Sequence, residues 1–391
     1  MKGASVMDER KKTILKAIVD DYVASAEPVA SKALVKNHNL QLSSATIRNV
    51  MAELEEMGYL EKPHTSAGRM PSDKGYRAYV DNLLSVPPIS QEDEKAIRDF
   101  LSVNVNKAQD LIERTVECLS NQTNFVSVAL SPEYSDSSIE QIKIMMIEPG
   151  RAIVVLVLSA GVVHDRLIRI PAMLDEQQLN AIARSVERCL AGKKLDDITL
   201  VMISSAAEGT GLPDAIVNQV LYEAYIAIKQ TEKIEVYIDG RHKLLQHPEF
   251  RDVERASRFY SVLRQTQMVA GYMRDIQQEE EAKHRAAILE QQDDTAEGEL
   301  SVRKPAYMVR IGQEIDIDGM ENASFITTTY RMGGQIAGQI GIIGPKRMNY
   351  GDMIAQISFV NKAMSAEARR HCGLPPEEED DFAVTSFKVQ D

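Results

Sequence analysis

Hydrophobic residues recur three and four positions apart near the start of the chain. This spacing predicts amphipathic helices, here over residues 9–25, 29–36 and 43–57. Pro28 separates the first two, because the residue before a proline is driven out of the helical conformation. Ser43 or Ser44 can cap the third helix, and Gly58 ends it.

The third helix has two dissimilar faces. One carries an apolar stripe that we expect to be buried, formed by Ile47, Val50, Met51, Leu54 and Met57. The other begins with small polar residues and carries groups that can contact bases or phosphates, namely Ser43, Ser44, Thr46, Arg48 and Asn49. Arginine pairs with guanine and asparagine with adenine. The alternative is an ordinary three-helix bundle, whose packing uses the same spacing.

A polar, turn-rich stretch follows this helix. The pattern predicts a short strand over 59–62, a returning strand over 69–71 and a further helix over 73–84. Donor groups that suit phosphate oxygens are concentrated here, namely Lys62, His64, Thr65, Ser66, Arg69, Lys74 and Arg77. A charged loop is usually only solvated surface. Its position directly after a candidate recognition helix favours the wing of a winged helix-turn-helix, which binds double-stranded DNA.

The rest of the chain predicts an α+β arrangement beyond a Val-Pro-Pro linker at 86–88. One long helix is expected over 92–119. Alternating or continuous apolar runs predict two groups of strands, over 125–130, 141–147, 152–158 and 162–170, and over 306–311, 324–330 and 335–343. We expect these groups to form one antiparallel sheet. A mainly helical segment separates them, with helices over 176–190, 214–230 and 252–292.

The distribution of charge along the chain indicates which part of the molecule can bind DNA. The chain carries a net charge of −13, yet residues 1–88 hold 12 Lys/Arg against 11 Asp/Glu, so the remainder carries about −14. An acidic body of this kind is repelled by DNA, which leaves the N-terminal unit as the binding surface. No secretory signal and no apolar run long enough for a membrane are visible in the sequence, so we expect a cytoplasmic protein.

The sequence offers no pattern for an enzyme. The three cysteines are far apart and lack CxxC spacing, and no His, Cys and carboxylate cluster has metal-ligand spacing. The glycines of GGQIAGQIGIIGP lie inside a strand, whereas a nucleotide-binding loop joins a strand to a helix. We therefore predict no catalytic residues, no metal and no cofactor.

Four segments carry a family resemblance. VASKALVKNHNLQLSSATIRNVMAELEEMGYLEKPHTSAGRMPSDKGYRAYVD, residues 29–81, resembles the N-terminal domain of the bacterial heat-inducible transcription repressors, the HrcA family. The resemblance resumes, in the same order, in YIDGRHKLLQHPEF (237–250), RIGQEI (310–315) and GQIAGQIGIIGPKRMNYGDMI (334–354). It therefore spans nearly the whole chain.

The resemblance implies a multidomain architecture and a mode of regulation. A winged-helix DNA-binding domain (1–88) would precede a GAF-like domain (89–172 and 301–391), interrupted by an inserted, mainly helical dimerising domain (173–300). A homodimer would bind an inverted-repeat operator and repress heat-shock chaperone operons. A chaperonin would keep the repressor active, and heat would relieve repression by withdrawing that support. Two alternatives are a winged-helix regulator gated by a small metabolite in its GAF-like domain, and an interaction scaffold that binds no DNA.

Overall fold

The structure, a computed structural model, has an α+β fold. It describes residues 7–38, 40–63, 68–102, 108–134, 136–159, 162–207, 211–292, 307–332 and 335–371. Every pair of strands in these ranges is antiparallel, which confirms the predicted class. A helix both long and apolar enough to cross a membrane does not occur in the same ranges.

The N-terminal unit over residues 7–82, called the head below, agrees closely with its prediction. Its elements are α1 (Glu9–Ser25), α2 (Ser31–Asn37), α3 (Ser44–Glu56), β1 (Leu60–Glu61), β2 (Met70–Pro71) and α4 (Asp73–Asn82). The apolar stripes of the helices meet in a core that includes Ile14, Ile18, Leu34, Ile47 and Leu54, all with no exposed surface. Each such side chain contributes about 1.5–3 kcal/mol through burial.

The remaining elements, from Gln91 onward, are called the body. They are α5 (Gln91–Leu101), α6 (Ala108–Thr123), β3 (Val126–Leu130), β4 (Ile139–Glu148), β5 (Arg151–Leu158), β6 (Val163–Arg169), α7 (Glu176–Leu190), α8 (Leu200–Ser204), α9 (Asp214–Thr231), β7 (Val236–Asp239), α10 (Val253–Arg264), α11 (Thr266–Gln292), β8 (Met308–Ile311), β9 (Ala323–Met332), β10 (Gln335–Pro345) and α12 (Tyr350–His371).

Two sheets divide the strands of the body, so the predicted single antiparallel sheet is wrong. One sheet has the order β7-β3-β10-β9-β8, and the other is β4-β5-β6. β3 lies between β7 and β10, which use both of its edges, so β4 cannot pair with it. The three-stranded sheet instead packs one face against α7, α8 and α9, and this core draws its buried hydrophobic residues from Tyr134 to Ile228.

Helices cover both faces of the five-stranded sheet. Ile326 and Ile342 pack among residues of α5, α6 and α12, whereas Phe325 and Ile343 pack among residues of α10 and α11. The described part of the glycine-rich segment, from Gln335 to Pro345, is strand β10, as predicted. A Cβ on Gly338 would lie 2.4 Å from the carbonyl oxygen of Leu130, so a glycine is required by the close approach of β3.

Two long helices predicted from the sequence are each divided into two shorter helices in the structure. The predicted helix over 92–119 is α5 followed by α6, and Arg114 of α6 donates to the carbonyl oxygen of Phe100 in α5. In a continuous helix, positions 14 apart would be separated by about 21 Å, so this contact requires the chain to reverse. The predicted helix over 252–292 breaks at Gln265, whose φ of −84° and ψ of 68° are not helical.

Candidate nucleic-acid interface

The start of α3 is fixed by two serines. Ser43 is the N-cap residue, and its Oγ accepts a hydrogen bond from the backbone N–H of Thr46 at 3.1 Å. It also lies 2.8 Å from the Thr46 hydroxyl. The Ser44 hydroxyl lies 3.0 Å from that of Ser31 at the start of α2, so it joins the two helices of the predicted helix-turn-helix. Ser43 is exposed, whereas Ser44 and Thr46 are half-buried.

The exposed face of α3 carries two side chains that are free to contact a ligand. Ile47 and Val50 are buried, while Arg48 and Asn49 between them are exposed. Among the residues that the structure describes, neither Arg48 nor Asn49 has a side-chain hydrogen bond or an ion pair. Ala45 and Ala52 flank them on the same exposed face, so the neighbours of Arg48 and Asn49 on this helix are small.

Acidic residues occur only at the far end of α3. Glu53 lies 3.0 Å from the ammonium of Lys11, and Glu55 forms an ion pair with Arg69, so two of the three acidic charges are compensated within the head. The other end, from Ser44 to Ala52, holds no acid. It also carries the partial positive charge of a helix N-terminus. The potential along α3 therefore favours an anion at its N-terminal half.

The two-stranded ribbon is bound tightly to the helices. β1 pairs with β2 through Leu60–Pro71 and Glu61–Met70. Arg69 extends this pairing, because its backbone exchanges hydrogen bonds of 2.9 and 2.8 Å with Val29. A Cβ on Gly68 would lie 2.3 Å from the carbonyl oxygen of Val29, so the glycine allows the ribbon to approach the helices this closely.

The predicted cations of this stretch have different surroundings. Lys62 is exposed, and no described residue pairs with its side chain. The Arg69 guanidinium contacts the Glu55 carboxylate through Nε at 2.7 Å and Nη2 at 2.6 Å, and its side chain is only 19% exposed. Lys74 donates to the carbonyl oxygen of Met57 at the end of α3, at 2.8 Å, and lies 4.5 Å from the centre of the Tyr59 ring. His64, Thr65 and Ser66 lie outside the described residues.

Arg77 faces the body rather than the open surface. Its Nε donates to Oε1 of Glu314 at 2.8 Å, and its Nη2 donates to the carbonyl oxygen of Val309 at 2.7 Å. Burial opposes the charge of Arg77, but the hydrogen bonds that it donates to the carboxylates of Glu314 and Asp81 raise its pKa above the usual value. Sequence reasoning missed both Glu55 and Glu314 as partners. Local patterns carry no signal for pairs that are 14 and 237 positions apart.

The predicted site residues thus fall into two sets. Ser43, Thr46, Arg48 and Asn49 lie together at the start of α3, and Lys62 follows directly after β1. Ser44, Arg69, Lys74 and Arg77 have partners inside the protein. In the described part of the chain, no group of three or more His, Cys, Asp or Glu side chains is placed to hold a metal ion.

Comparison with known proteins decides the family. Residues 109–354 match the family model described as the HrcA protein C-terminal domain. A heat-inducible transcription repressor HrcA of Acetivibrio thermocellus is 35% identical over 94% of this chain and 98% of its own length. The chain belongs to the HrcA family of heat-inducible transcription repressors. Another HrcA, from Ruminiclostridium cellulolyticum, is 33% identical over 93% of this chain and 97% of its own.

Membership of the HrcA family confirms the resemblance and the predicted function, negative regulation of transcription that responds to heat. It does not favour the alternative of a regulator gated by a metabolite. A solved structure described as a hypothetical protein is 20% identical to this chain, with a TM-score of 0.59 over 93% of this chain and 99% of that one. This similarity shows the fold alone.

Proposed function

We propose that the protein is a homodimeric repressor of chaperone operons that binds inverted-repeat operator DNA through two winged-helix heads. In each head, α3 enters the major groove, and the turn between β1 and β2 lies along the phosphate backbone. The observation that carries this proposal is the exposed face of α3, on which Arg48 and Asn49 lack partners among the described residues.

The surroundings of each residue separate direct contacts from supporting ones. We assign direct contact with DNA to Ser43, Thr46, Arg48 and Asn49 of α3 and to Lys62, His64, Thr65 and Ser66 of the wing. Ser44, Arg69, Lys74 and Arg77 support the interface, because their polar groups join one element of the protein to another, whereas Ser43 and Thr46 bond only to each other within the first turn of α3. Arg48 and Asn49 read bases, and the wing residues contact phosphates.

An apolar sheet face supports the homodimer. The outer face of β4-β5-β6 carries a row formed by Met145, Ile153 and Leu167, which are cross-strand neighbours. Leu167 and Val163 are each 59% exposed, and Met145 is 48% exposed. A sheet with one face in the core normally has a polar outer face, so this row marks a contact with another protein surface. A second copy of the same face, related by a two-fold axis, is the partner that a symmetric operator requires.

The packing supports a revised limit for the inserted domain. The core around β4-β5-β6 and α7–α9 is built from residues between Tyr134 and Ile228. β7, α10 and α11 belong to the five-stranded sheet and its covering helices. We therefore propose a dimerising insert over about 134–233, inside a GAF-like domain formed by the five-stranded sheet and its helices. The first 88 residues remain the DNA-binding domain of the proposal.

The heat response is proposed to act in the cytoplasm through a chaperonin. Relatives of this chain are named heat-inducible repressors, so loss of repression on heating belongs to the family. A chaperonin that holds the repressor in its binding form would become occupied by misfolded proteins at high temperature. No residue of this chain is assigned to that contact.

Selection of DNA from a randomised duplex pool tests the proposal. The full chain is incubated with the pool, bound duplexes are recovered over several rounds, and enriched sequences are compared by gel shift with and without chaperonin. We expect an inverted repeat with half-sites about one helical turn apart, or a multiple of that spacing. Enrichment of no common sequence, or failure of the folded dimer to shift any duplex, would refute it.

A further inference from the structure

The head contacts the body through a polar junction at α4. In addition to the Arg77 contacts with Glu314 and Val309, Asp73 contacts the body through both carboxylate oxygens. Its Oδ2 accepts from the backbone N–H of Gln313 at 3.0 Å, and its Oδ1 accepts from Nζ of Lys346 at 2.5 Å. Two successive turns of α4 are therefore held by groups that are more than 230 positions away in sequence.

The backbone of the body is shaped for this contact. Gly312 has a φ of +54°, a left-handed conformation that glycine adopts without strain. A Cβ at this position would also lie 2.2 Å from Oδ2 of Asp73. Both observations require a glycine where the 3-10 turn Gly312–Glu314 meets α4.

Two further contacts restrict rotation about the junction. The rings of Tyr76 and Tyr350 lie 6.0 Å apart, and both side chains are buried within a hydrophobic core that is continuous from head to body. At the end of α1, Arg347 donates to the carbonyl oxygen of Val23 at 2.6 Å and contacts Glu249 of the body at 2.5 Å. The head is thus held at two separated polar points with an apolar contact between them.

The junction also unites separate segments of the sequence. Asp73 and Arg77 lie in SDKGYR, Gly312 to Glu314 lie in RIGQEI, and Lys346 to Tyr350 lie in GPKRMNY. These are parts of the segments that carry the family resemblance. The junction contacts involve none of the exposed residues of α3, so an effect of the junction on DNA binding acts through the orientation of the head.

We infer that Asp73 and Arg77, with Glu314 and Lys346, are positioning residues that set which half-site spacing the dimer accepts. The inference rests on the proposed function, because it requires two heads on one operator. Two linked binding modules gain about 10²–10⁴ in affinity when both can engage, and lose this gain when the geometry forbids it. A head held rigidly on the body gives this gain in affinity at one half-site spacing only. A head that can rotate on the body gives a smaller gain at several spacings.

The body side of the junction provides a clean test, because Glu314 and Lys346 are not among the proposed DNA contacts. The full-length dimer carrying Glu314→Gln and Lys346→Met is compared with wild type. Lys229→Met with Glu232→Gln is the matched control, since this ion pair of 2.6 Å lies at the C-terminal end of α9 and does not reach the head. Affinity is measured by fluorescence anisotropy for a single half-site, the selected inverted repeat and the same repeat lengthened by five base pairs. The longer spacer turns one half-site to about the opposite side of the duplex.

We expect wild type and control to prefer the selected repeat strongly. The junction variant should lose at least about tenfold of that preference, with its affinity for a single half-site unchanged within about twofold. Hydrogen exchange should increase in α4 but not in α3, and Glu314→Asp with Lys346→Arg should restore the preference. An unchanged preference in the junction variant would overturn the inference, as would tighter binding to the selected repeat, which would indicate an inhibitory contact. If wild type binds no duplex, the proposed function itself fails.

Discussion

The Arg69 guanidinium lies 2.6–2.7 Å from the Glu55 carboxylate, so β2 is joined to the helix that it follows. Because the charge of Arg69 is already compensated, Arg69→Ala should change the dependence of DNA affinity on salt very little. A lost phosphate contact would lower the salt slope by about 0.9. The variant should instead destabilise the head by about 1–2 kcal/mol, since both partners are partly screened by solvent. Urea unfolding and anisotropy titrations in several salt concentrations measure the two effects.

The variant Glu55→Gln tests whether Arg69 stabilises the head or contacts a DNA phosphate directly. It should destabilise the head to a similar extent but release the charge of Arg69, so that affinity for DNA at low salt stays equal or rises. A salt slope that falls by about one in Arg69→Ala would instead make Arg69 a phosphate ligand, as the sequence pattern alone predicted.

Arg48 should govern base preference. Arg48→Ala removes an exposed side chain that has no partner among the described residues, so unfolding should be unaffected. Discrimination at one base pair of each half-site should fall by about 1–3 kcal/mol, the range of a bidentate base contact. Affinities for a set of single-base operator variants measure this loss. Arg255→Ala, which removes an exposed arginine of α10, is the matched control and should bind as wild type. If Arg48→Ala keeps the full base preference, α3 is not the recognition helix.

Ser43 allows the cap of α3 to be separated from its contact with DNA. Ser43→Ala should destabilise the head by about 1 kcal/mol, because the N–H of Thr46 loses its acceptor. Ser43→Asp preserves a good cap, so the melting temperature should stay near that of wild type. Its carboxylate would face the phosphates, however, and binding should weaken most at low salt, where screening is least.

The equivalent change in the body is the control for Ser43→Asp. Thr199 caps α8 by accepting from the N–H of Met202 at 3.2 Å, and Thr199→Asp should leave DNA binding unchanged. Equal affinity of Ser43→Asp and wild type across the salt range would show that the start of α3 lies away from the phosphates.

Local chemistry was readable in the sequence where neighbouring residues decide the structure. Ser43 caps α3 because its hydroxyl reaches an amide three residues ahead, and the bounds of α1 and α7 follow from the same kind of pattern. The division of the strands into two sheets was not readable. It depends on β7 and β10 occupying the edges of β3, and these pairings join parts of the chain that are more than 100 positions apart.

The candidate DNA interface could likewise be predicted from the sequence only where neighbouring residues decide the structure. The exposure of Arg48 and Asn49 follows from helical periodicity, which also buries Ile47 and Val50. The pairing of Arg77 with Glu314 does not, because a cation in a polar segment has the same pattern whether it faces solvent, DNA or another domain. Counting cations therefore finds the region of an interface but overestimates the number of residues that contact DNA.

We expect the stability of the dimer to depend on Leu167. It is 59% exposed on the outer face of the three-stranded sheet, next to Ile153. Leu167→Arg would place an uncompensated charge in the proposed interface, which costs about 3–5 kcal/mol and raises the dimer dissociation constant roughly a hundredfold or more. Sedimentation velocity across a concentration series measures it. Leu245→Arg, at a body position that is 68% exposed, is the control and should remain dimeric. Dimers of unchanged strength in Leu167→Arg would contradict the assignment of this face.

His164 should make the stability of the protein sensitive to acid. Its ring lies 5.0 Å from that of Tyr134, and its buried Nε2 has no hydrogen-bond partner among the described residues. Burial and then the charge of Arg166 lower the pKa of His164, outweighing the opposite effects of Glu235 and Asp165. The unfolded chain therefore binds the proton first, and stability present above pH 6.5 is lost as the pH falls below that value.

His164→Phe keeps an aromatic ring at this position but removes the imidazole that titrates. The loss of unfolding free energy between pH 7.5 and pH 5.5, measured with urea, should be smaller in His164→Phe than in wild type. His242→Gln, which replaces an exposed histidine, is the matched control. Equal losses in wild type and His164→Phe would mean that His164 takes up its proton as readily in the folded state as in the unfolded one. In that case the buried Nε2 would have to be reached by water from the cavity of about 140 Å³ beside it, which Gln109, Thr231 and Lys233 also line.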